Sequence, residues 1–160
     1  MTLSKSLPVA LALILLLTSC GVRVKADISA YGDTEITISG LLEEDFTVTP
    51  NELAQLDCVS RSATGTSAKA GTVSVVGPLL TTFLEQYGKA PSDFSKIRFI
   101  ASDGYEVYLQ NDYLTDYEII LGVSRTKEPL PESEWPLRIL IPEAAQGKWE
   151  YAVIRIEFEE

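Results

Sequence analysis

The sequence contains no histidine and very little sulfur. Among its 160 residues there are two cysteines and one methionine. The absence of histidine excludes triads built on that residue, the most common general base, and most zinc and haem sites. Asp and Glu outnumber Lys and Arg by 23 to 13, which gives a net charge of −10. An acidic chain of this kind is not expected to bind nucleic acid or an anionic membrane surface as its main partner.

The first twenty residues predict a processed export signal. Lys5 supplies its positive charge, and the apolar run from Leu7 to Leu17 is too short for a membrane span, which needs about 20 residues. The run ends in Leu17-Thr18-Ser19-Cys20, which resembles the lipobox of bacterial lipoproteins. We therefore expect cleavage before Cys20 and lipid on its sulfur, which would hold the protein on the extracytoplasmic side of a bacterial cell membrane. The alternative is an ordinary secretory signal, or a short core helix, in which Cys20 is incidental.

The chain is accordingly divided into three parts. Residues 1 to 19 are predicted to be a lipoprotein signal peptide, 20 to 33 a lipidated tether without periodicity, and 34 to 160 the folded domain. Without the signal, 141 residues remain, which is enough for one domain with a substantial core.

Hydrophobic patterning within the domain predicts an α+β fold. A capping box at 49 to 52 and the Gly-Pro pair at 77 to 78 each predict the start of a helix, the second ending at Gly88. An Asp-Gly turn at 103 to 104 predicts a hairpin. Strands are predicted at 35 to 39, 46 to 48, 96 to 101, 105 to 110, 117 to 121, 137 to 141 and 152 to 158, the last with Ala152, Ile154, Ile156 and Phe158 on one face. Two or three helices among six to eight strands, not in regular βαβ order, indicate a mixed-sheet domain.

Cys58 is the only thiol left once Cys20 carries lipid. It cannot form an internal disulfide, so it is either buried and inert or kept for metal or redox chemistry. It follows the first predicted helix and precedes residues 60 to 71, whose small, polar, glycine-containing composition predicts a surface loop that is flexible or binds a ligand.

Several segments, in order, resemble the molybdopterin-binding domain of sulfite oxidase-like oxidoreductases. The resemblance extends from Ile36 to Phe158. It rests on I-S-G-L at 38 to 41, T-P-x-E-L at 49 to 53, L-D-C at 56 to 58, V-G-P-L-L-x-x-F-L at 76 to 84, A-S-D-G-Y at 101 to 105 and W-P-L-R-I-L-I-P at 135 to 142.

This resemblance implies a molybdopterin-type molybdenum cofactor. Cys58 stands where the family has the cysteine whose thiolate binds molybdenum, and soft thiolates suit such a metal. Arg61, Arg138 and Lys148 would hold the phosphate and polar edges of the pterin, and the turn Asp103-Gly104-Tyr105 would also contact it. On the residues alone, Arg138 is equally a strand arginine paired with a carboxylate, and the turn is equally a hairpin with a core tyrosine.

Two functions from different classes follow. One is a membrane-anchored extracytoplasmic oxidoreductase-like protein that carries the cofactor and exchanges electrons with a partner protein. The other is a lipid-anchored ligand- or protein-binding module that kept the fold and lost the cofactor. A hydrolase would depend on paired carboxylates in the absence of histidine, and no such pair has a distinctive context here.

Overall fold

The computed structural model describes residues 21 to 65 and 71 to 160, which form an α+β domain as predicted. Its strands are Ile36–Ser39 (β1), Phe46–Val48 (β2), Cys58–Thr64 (β3), Thr72–Pro78 (β4), Lys96–Ala101 (β5), Glu106–Gln110 (β6), Ile120–Gly122 (β7), Arg138–Leu140 (β8) and Val153–Glu159 (β9). Its α-helices are Pro50–Leu53 (α1), Leu80–Glu85 (α2) and Asn111–Asp116 (α3), and single 3₁₀ turns lie at Pro91–Asp93, Glu132–Glu134 and Gln146–Lys148.

A mixed five-stranded sheet, in the order β2-β1-β9-β5-β6, forms the base of the domain. β1 and β9 are parallel, and every other neighbouring pair is antiparallel. Alternate residues of β5, such as Ile97 and Phe99, are buried, while Arg98 on the opposite face forms an ion pair with Glu157 of β9. One face of the sheet therefore covers the core, and the other carries charged pairs in contact with water.

Two further antiparallel pairs, the hairpin β3-β4 and the pair β7-β8, form separate two-stranded sheets that contact each other through β4 and β7. The Val76 N–H donates to the Ser124 carbonyl at 2.7 Å, which joins β4 to the segment after β7. Gly77 makes this approach possible, because a Cβ atom there would overlap the carbonyl oxygen of Leu121. The close contact of the two backbones explains why the Gly-Pro pair at 77 to 78 belongs to a strand.

Local signals in the sequence gave the correct structure at two places. The Thr49 hydroxyl accepts from the Glu52 N–H at 3.2 Å, and the Glu52 carboxylate accepts from the Thr49 N–H at 2.7 Å, which completes the predicted capping box of α1. The predicted hairpin is the antiparallel pair β5-β6. Gly104 has φ +85°, a conformation that favours glycine, and Asp103 accepts from the Tyr105 N–H at 2.9 Å.

The predicted loop at 60 to 71 was wrong for the part that the structure describes. β3 continues to Thr64, β4 begins at Thr72, and residues 66 to 70 lie outside the described residues. The hydroxyls of Ser62 and Ser74 lie 2.7 Å apart across the two strands. Cross-strand pairing of small hydroxyl residues therefore overrides a composition that is typical of loops.

Three other element boundaries differ from the prediction. The second helix begins at Leu80 and not at Gly77, because Gly77 and Pro78 pair with β3. The strand predicted at 117 to 121 is confined to β7, and α3 before it was not predicted because Leu114 is its only buried residue. The element predicted at 137 to 141 forms the shorter β8.

The last strand was predicted correctly, and its facing pattern holds from Arg155 to Phe158 but not at Val153 and Ile154. Val153 is buried and Ile154 is exposed, the reverse of the predicted alternation. The pairing with β5 shifts register between Ile100 and Ala101, so that Ile154 is the extra residue of a β-bulge. The bulge lies in β9 and is defined by the pairing with β5, so alternation within the β9 sequence did not reveal it.

Part of the segment predicted as a tether packs on the domain. The Tyr31 hydroxyl donates to the Val123 carbonyl at 2.7 Å and accepts from the Leu130 N–H at 3.0 Å, and Ile28 is buried beside it. The packed structure therefore begins before Thr34, the predicted start. The predicted signal peptide and Cys20 lie outside the described residues, and no helix of the described part is long and apolar enough to cross a membrane.

Candidate functional site

Cys58 is a buried thiol at the first position of β3. Its Sγ lies 3.9 Å from the Leu53 carbonyl oxygen of α1, and its backbone carbonyl accepts from the Val22 N–H at 2.9 Å. Burial, together with the smaller effect of the neighbouring negative charge of Asp57, raises the pKa of the thiol to about 11. The thiol is therefore protonated at neutral pH and has the character of an inert core group.

Arg61 lies on the same strand and lines the same shallow cavity of about 410 Å³ as Cys58. Its guanidinium binds the Glu118 carboxylate through two contacts, Nε to Oε2 at 2.8 Å and Nη2 to Oε1 at 3.0 Å. The hydrogen bond between the two groups raises the pKa of Arg61 and lowers that of Glu118. The Glu118 carboxylate thus already accepts from two neighbouring N–H donors of Arg61, which are the donors that an anionic ligand would need.

Arg138 is buried in a charged network beneath the C-terminal part of the domain. Its Nη1 forms an ion pair with Oε1 of Glu134, the same oxygen that accepts from Nη2 of Arg125 at 3.2 Å. The other Glu134 oxygen and the Nε atoms of both arginines have no hydrogen-bond partner among the described residues. The interpretation of Arg138 as a strand arginine paired with a carboxylate therefore matches the structure.

The turn Asp103-Gly104-Tyr105 is exposed to solvent, whereas Lys148 lies against tyrosine rings. Tyr105 is 60% exposed, so it is not the core tyrosine of the alternative interpretation. The Lys148 ammonium lies 5.2 Å from the ring centroids of both Tyr108 and Tyr113. It also donates to the Tyr108 carbonyl at 3.4 Å. Lys148 is thus held on aromatic rings of the domain surface by cation–π contacts.

A cleft that the sequence did not predict lies beside this turn. We call it the acidic cleft; it has a volume of about 550 Å³ and is lined chiefly by Asp103, Tyr105, Gly147, Trp149, Glu150 and Tyr151. It contains two carboxylates and two exposed rings, those of Tyr105 and Tyr151. A sequence signal existed in K-W-E-Y at 148 to 151, where a glutamate stands between two aromatic residues, but the burial of that glutamate could not be inferred from it.

Glu150 is the most unusual group of the acidic cleft. It is only 2% exposed, and its backbone is fixed by two hydrogen bonds to Ile139 of β8. Oε1 accepts from the Tyr151 N–H at 2.9 Å, whereas Oε2 has no partner within the described ranges. Burial raises the pKa of Glu150 and Asp103 adds to this effect, while the Tyr151 N–H and Arg138 act in the opposite direction.

The predicted site residues thus fall into separate groups. Cys58 and Arg61 share one cavity, whereas Asp103 and Tyr105 line another. Arg138 lies near the second cavity, because its guanidinium carbon is 5.9 Å from the ring centroid of Tyr151, which also lines that cavity. The cavity that Cys58 and Arg61 share is not lined by Arg138 or Lys148.

This arrangement does not fit the molybdenum cofactor. Metal ligation requires a thiolate, and the environment of Cys58 favours the protonated thiol. Arg61 and Arg138, assigned to the pterin phosphate, are each bound by a glutamate that a phosphate would have to displace. Across residues 21 to 65 and 71 to 160, no group of three or more His, Cys, Asp or Glu side chains could hold a metal ion instead.

Comparison of whole structures shows what the domain resembles. The sulfane dehydrogenase SoxCD from Paracoccus pantotrophus superposes with a TM-score of 0.64 at 18% identity, over 80% of this chain and 38% of that one. The fold prediction is thereby confirmed as α+β of the sulfite oxidase-like molybdopterin type. The likeness is distant and extends to the fold alone, since this chain spans 38% of the length of that enzyme chain. Neither a scan against protein families nor a search of curated proteins finds a match in sequence.

Proposed function

We propose that this protein is a lipid-anchored, extracytoplasmic binding module that has the sulfite oxidase-like fold and does not use its cofactor. The observation that carries the proposal is the state of Cys58: a buried thiol, with its pKa raised to about 11, next to a carbonyl oxygen. A thiol that serves a metal is usually placed near positive charge, which lowers its pKa. The predicted phosphate anchors also support the proposal, because Arg61 and Arg138 are each already bound by a glutamate.

Elemental analysis tests this proposal. The protein is exported from a host that makes and loads molybdenum cofactor, purified, and assayed for molybdenum by mass spectrometry alongside a Cys58→Ser variant. We expect substoichiometric molybdenum, equal in the two proteins, and an unchanged circular dichroism spectrum. Near-stoichiometric molybdenum that disappears in the variant would overturn the proposal.

The second candidate is a membrane-anchored oxidoreductase that carries molybdopterin and exchanges electrons with a partner protein. It is favoured by the fold and by the position of Cys58, which comes after α1 as the resemblance implies. The same molybdenum assay distinguishes the two candidates. In the positive case, the next measurement would be reduction of artificial electron acceptors by the loaded protein.

The anchoring part of the proposal rests on the N-terminal sequence. The positive charge of Lys5, the apolar run and the small residues before Cys20 form one consistent signal. Two or three acyl chains on one cysteine give stable attachment to a membrane. We expect labelled palmitate to be incorporated into the protein and into Cys58→Ser but not into Cys20→Ser. Labelling of the Cys20→Ser variant would contradict the assignment.

A further inference from the structure

The acidic cleft contains a buried acceptor that the rest of the domain does not satisfy. Glu150 is 2% exposed, and its Oε2 has no hydrogen-bond partner among the residues described. Leaving a buried carboxylate oxygen unpaired is costly, and such atoms are uncommon in folded proteins. Glu150 also lines the cleft, so a donor bound there would lie beside this side chain.

Aromatic rings line the same cleft. Tyr105 and Tyr151 line the cleft and are 60% and 49% exposed. Exposed tyrosine rings attract cations through the negative potential of the ring face. The domain already uses this interaction with its own cations, since Arg138 lies near the Tyr151 ring and Lys148 near two other tyrosines.

The charges around the cleft leave a negative excess. Asp103 and Glu150 both line it, and Arg138 is the cation near Glu150. Arg138 is itself bound to Glu134, which also binds Arg125. Counted together, the carboxylates of Asp103, Glu134 and Glu150 outnumber the guanidinium groups of Arg125 and Arg138 by three to two, so the charge of this set favours an additional cation over an anion.

We propose that the acidic cleft binds a cationic nitrogen group, an ammonium or guanidinium, with the Glu150 carboxylate as its ion-pair partner, Asp103 as a second acceptor and the Tyr105 and Tyr151 rings as its walls. The cleft volume of about 550 Å³ is in the range of small-ligand sites. This inference rests on the proposed binding function and names its ligand class. Such a group can come from a free amine or from a basic side chain of another protein.

The test is a calorimetric titration of the purified protein with butylammonium, with butanol as the neutral isostere. We expect saturable binding of butylammonium and none of butanol, with a change in the fluorescence of Trp149, which lines the cleft. Absence of saturable butylammonium binding to the folded wild-type protein would overturn the proposal, and so would equal binding of butanol.

Variants locate the binding. Glu150→Gln keeps the shape of the side chain and removes its charge, so affinity should fall by about tenfold or more. Asp103→Asn, at an exposed position, should weaken binding by a smaller factor. Glu43→Gln, a charge-matched change in the loop between β1 and β2, should leave affinity unchanged. If Glu150→Gln does not fold, Asp103→Asn and Tyr151→Leu carry the test. Unchanged affinity in both of these folded variants would show that the cation binds elsewhere and would overturn the proposal.

One further comparison assigns the source of the cation. An end-blocked Gly-Lys-Gly peptide that binds more tightly than butylammonium would indicate a basic side chain of a protein partner. Equal affinities would indicate a free amine, and either result supports the site. The molybdenum assay is independent of these titrations, so a failure of the proposed function and a failure of the cation site are distinguishable.

Discussion

Replacing Glu134 with glutamine is expected to destabilise the domain strongly. The carboxylate holds two guanidinium groups, those of Arg138 and Arg125, through one oxygen. The side chains of Glu134 and Arg138 are only 12% and 10% exposed, so the variant would leave a buried positive charge without its partner. Removing one member of a buried ion pair costs about 3–5 kcal/mol. We expect about 3 kcal/mol here, because Arg125 keeps 32% of its side chain in water.

The chain provides a matched control for this experiment. Glu118→Gln breaks another glutamate-arginine pair, the one between Glu118 and Arg61. The side chains of Glu118 and Arg61 are 50% and 38% exposed. Exposed pairs contribute about 0–1 kcal/mol, so this variant should be nearly as stable as the wild type.

Urea-induced unfolding followed by circular dichroism measures both variants. A domain of this size has a free energy of unfolding of about 5–15 kcal/mol, so the loss at Glu134 should shift the midpoint clearly. Adding Arg138→Met to Glu134→Gln should recover part of the loss, because it removes the unpaired charge. Equal destabilisation by Glu134→Gln and Glu118→Gln would refute the assignment of a buried network.

Three further predictions concern packing, the thiol and pH. Gly77→Ala should cost about 1–3 kcal/mol or more, because its Cβ would overlap the Leu121 carbonyl, whereas Gly147→Ala has open space and should be almost neutral in the same urea assay. Cys58 should react slowly with iodoacetamide in the folded protein and rapidly in urea, and the folded-state rate should rise until the pH approaches its pKa of about 11; fast alkylation at neutral pH would contradict its burial. The raised pKa of Glu150 means that the folded state retains this proton to higher pH than the unfolded state, so its contribution to stability is present at low pH and is lost as pH rises through the folded-state pKa. Glu150→Gln should therefore stabilise the ligand-free protein more at about pH 8 than at about pH 4, and an opposite trend in urea midpoints would show that the sign is wrong.

Features that depend on neighbouring residues in the chain were predictable. The capping box of Thr49 and Glu52 and the turn at Gly104 form through bonds and dihedral angles within a few residues. The strands on either side of that turn followed from alternation of apolar residues. These elements were sufficient to give the fold class and the order of the main sheet-forming segments.

Features that depend on tertiary contacts were not predictable from one sequence. The β3-β4 hairpin has loop-like composition and is defined by cross-strand pairing, as between Ser62 and Ser74. Helix α3 has a single buried residue, Leu114, and so lacks an apolar period. Ile154 is exposed because it is the extra residue of a bulge in β9, and that bulge is defined by the pairing with β5. In each case the deciding contact lies outside the segment itself.

The ion-pair partners of the predicted site residues also could not be predicted from the sequence. The resemblance placed Arg61 and Arg138 as anchors for an anion, and both are arginines as it requires. A basic side chain can bind an anionic ligand only if its charge is not already taken by the protein. Glu118, which binds Arg61, is 57 residues away in sequence, and no local pattern reveals that contact.

The charged residues around the cleft, and not the fold, therefore determine the proposed ligand. Strand order and core packing depend on apolar residues, so a domain can retain them while the polar groups around its cavities change sign. Here Asp103 and Glu150 come from a turn and from the segment before β9, and they meet across one cleft. Their combined charge would repel a pterin phosphate and attract a cation. The fold thus places the cleft, whereas Asp103, Glu150 and the Glu134 that binds Arg138 would decide which ligand it accepts.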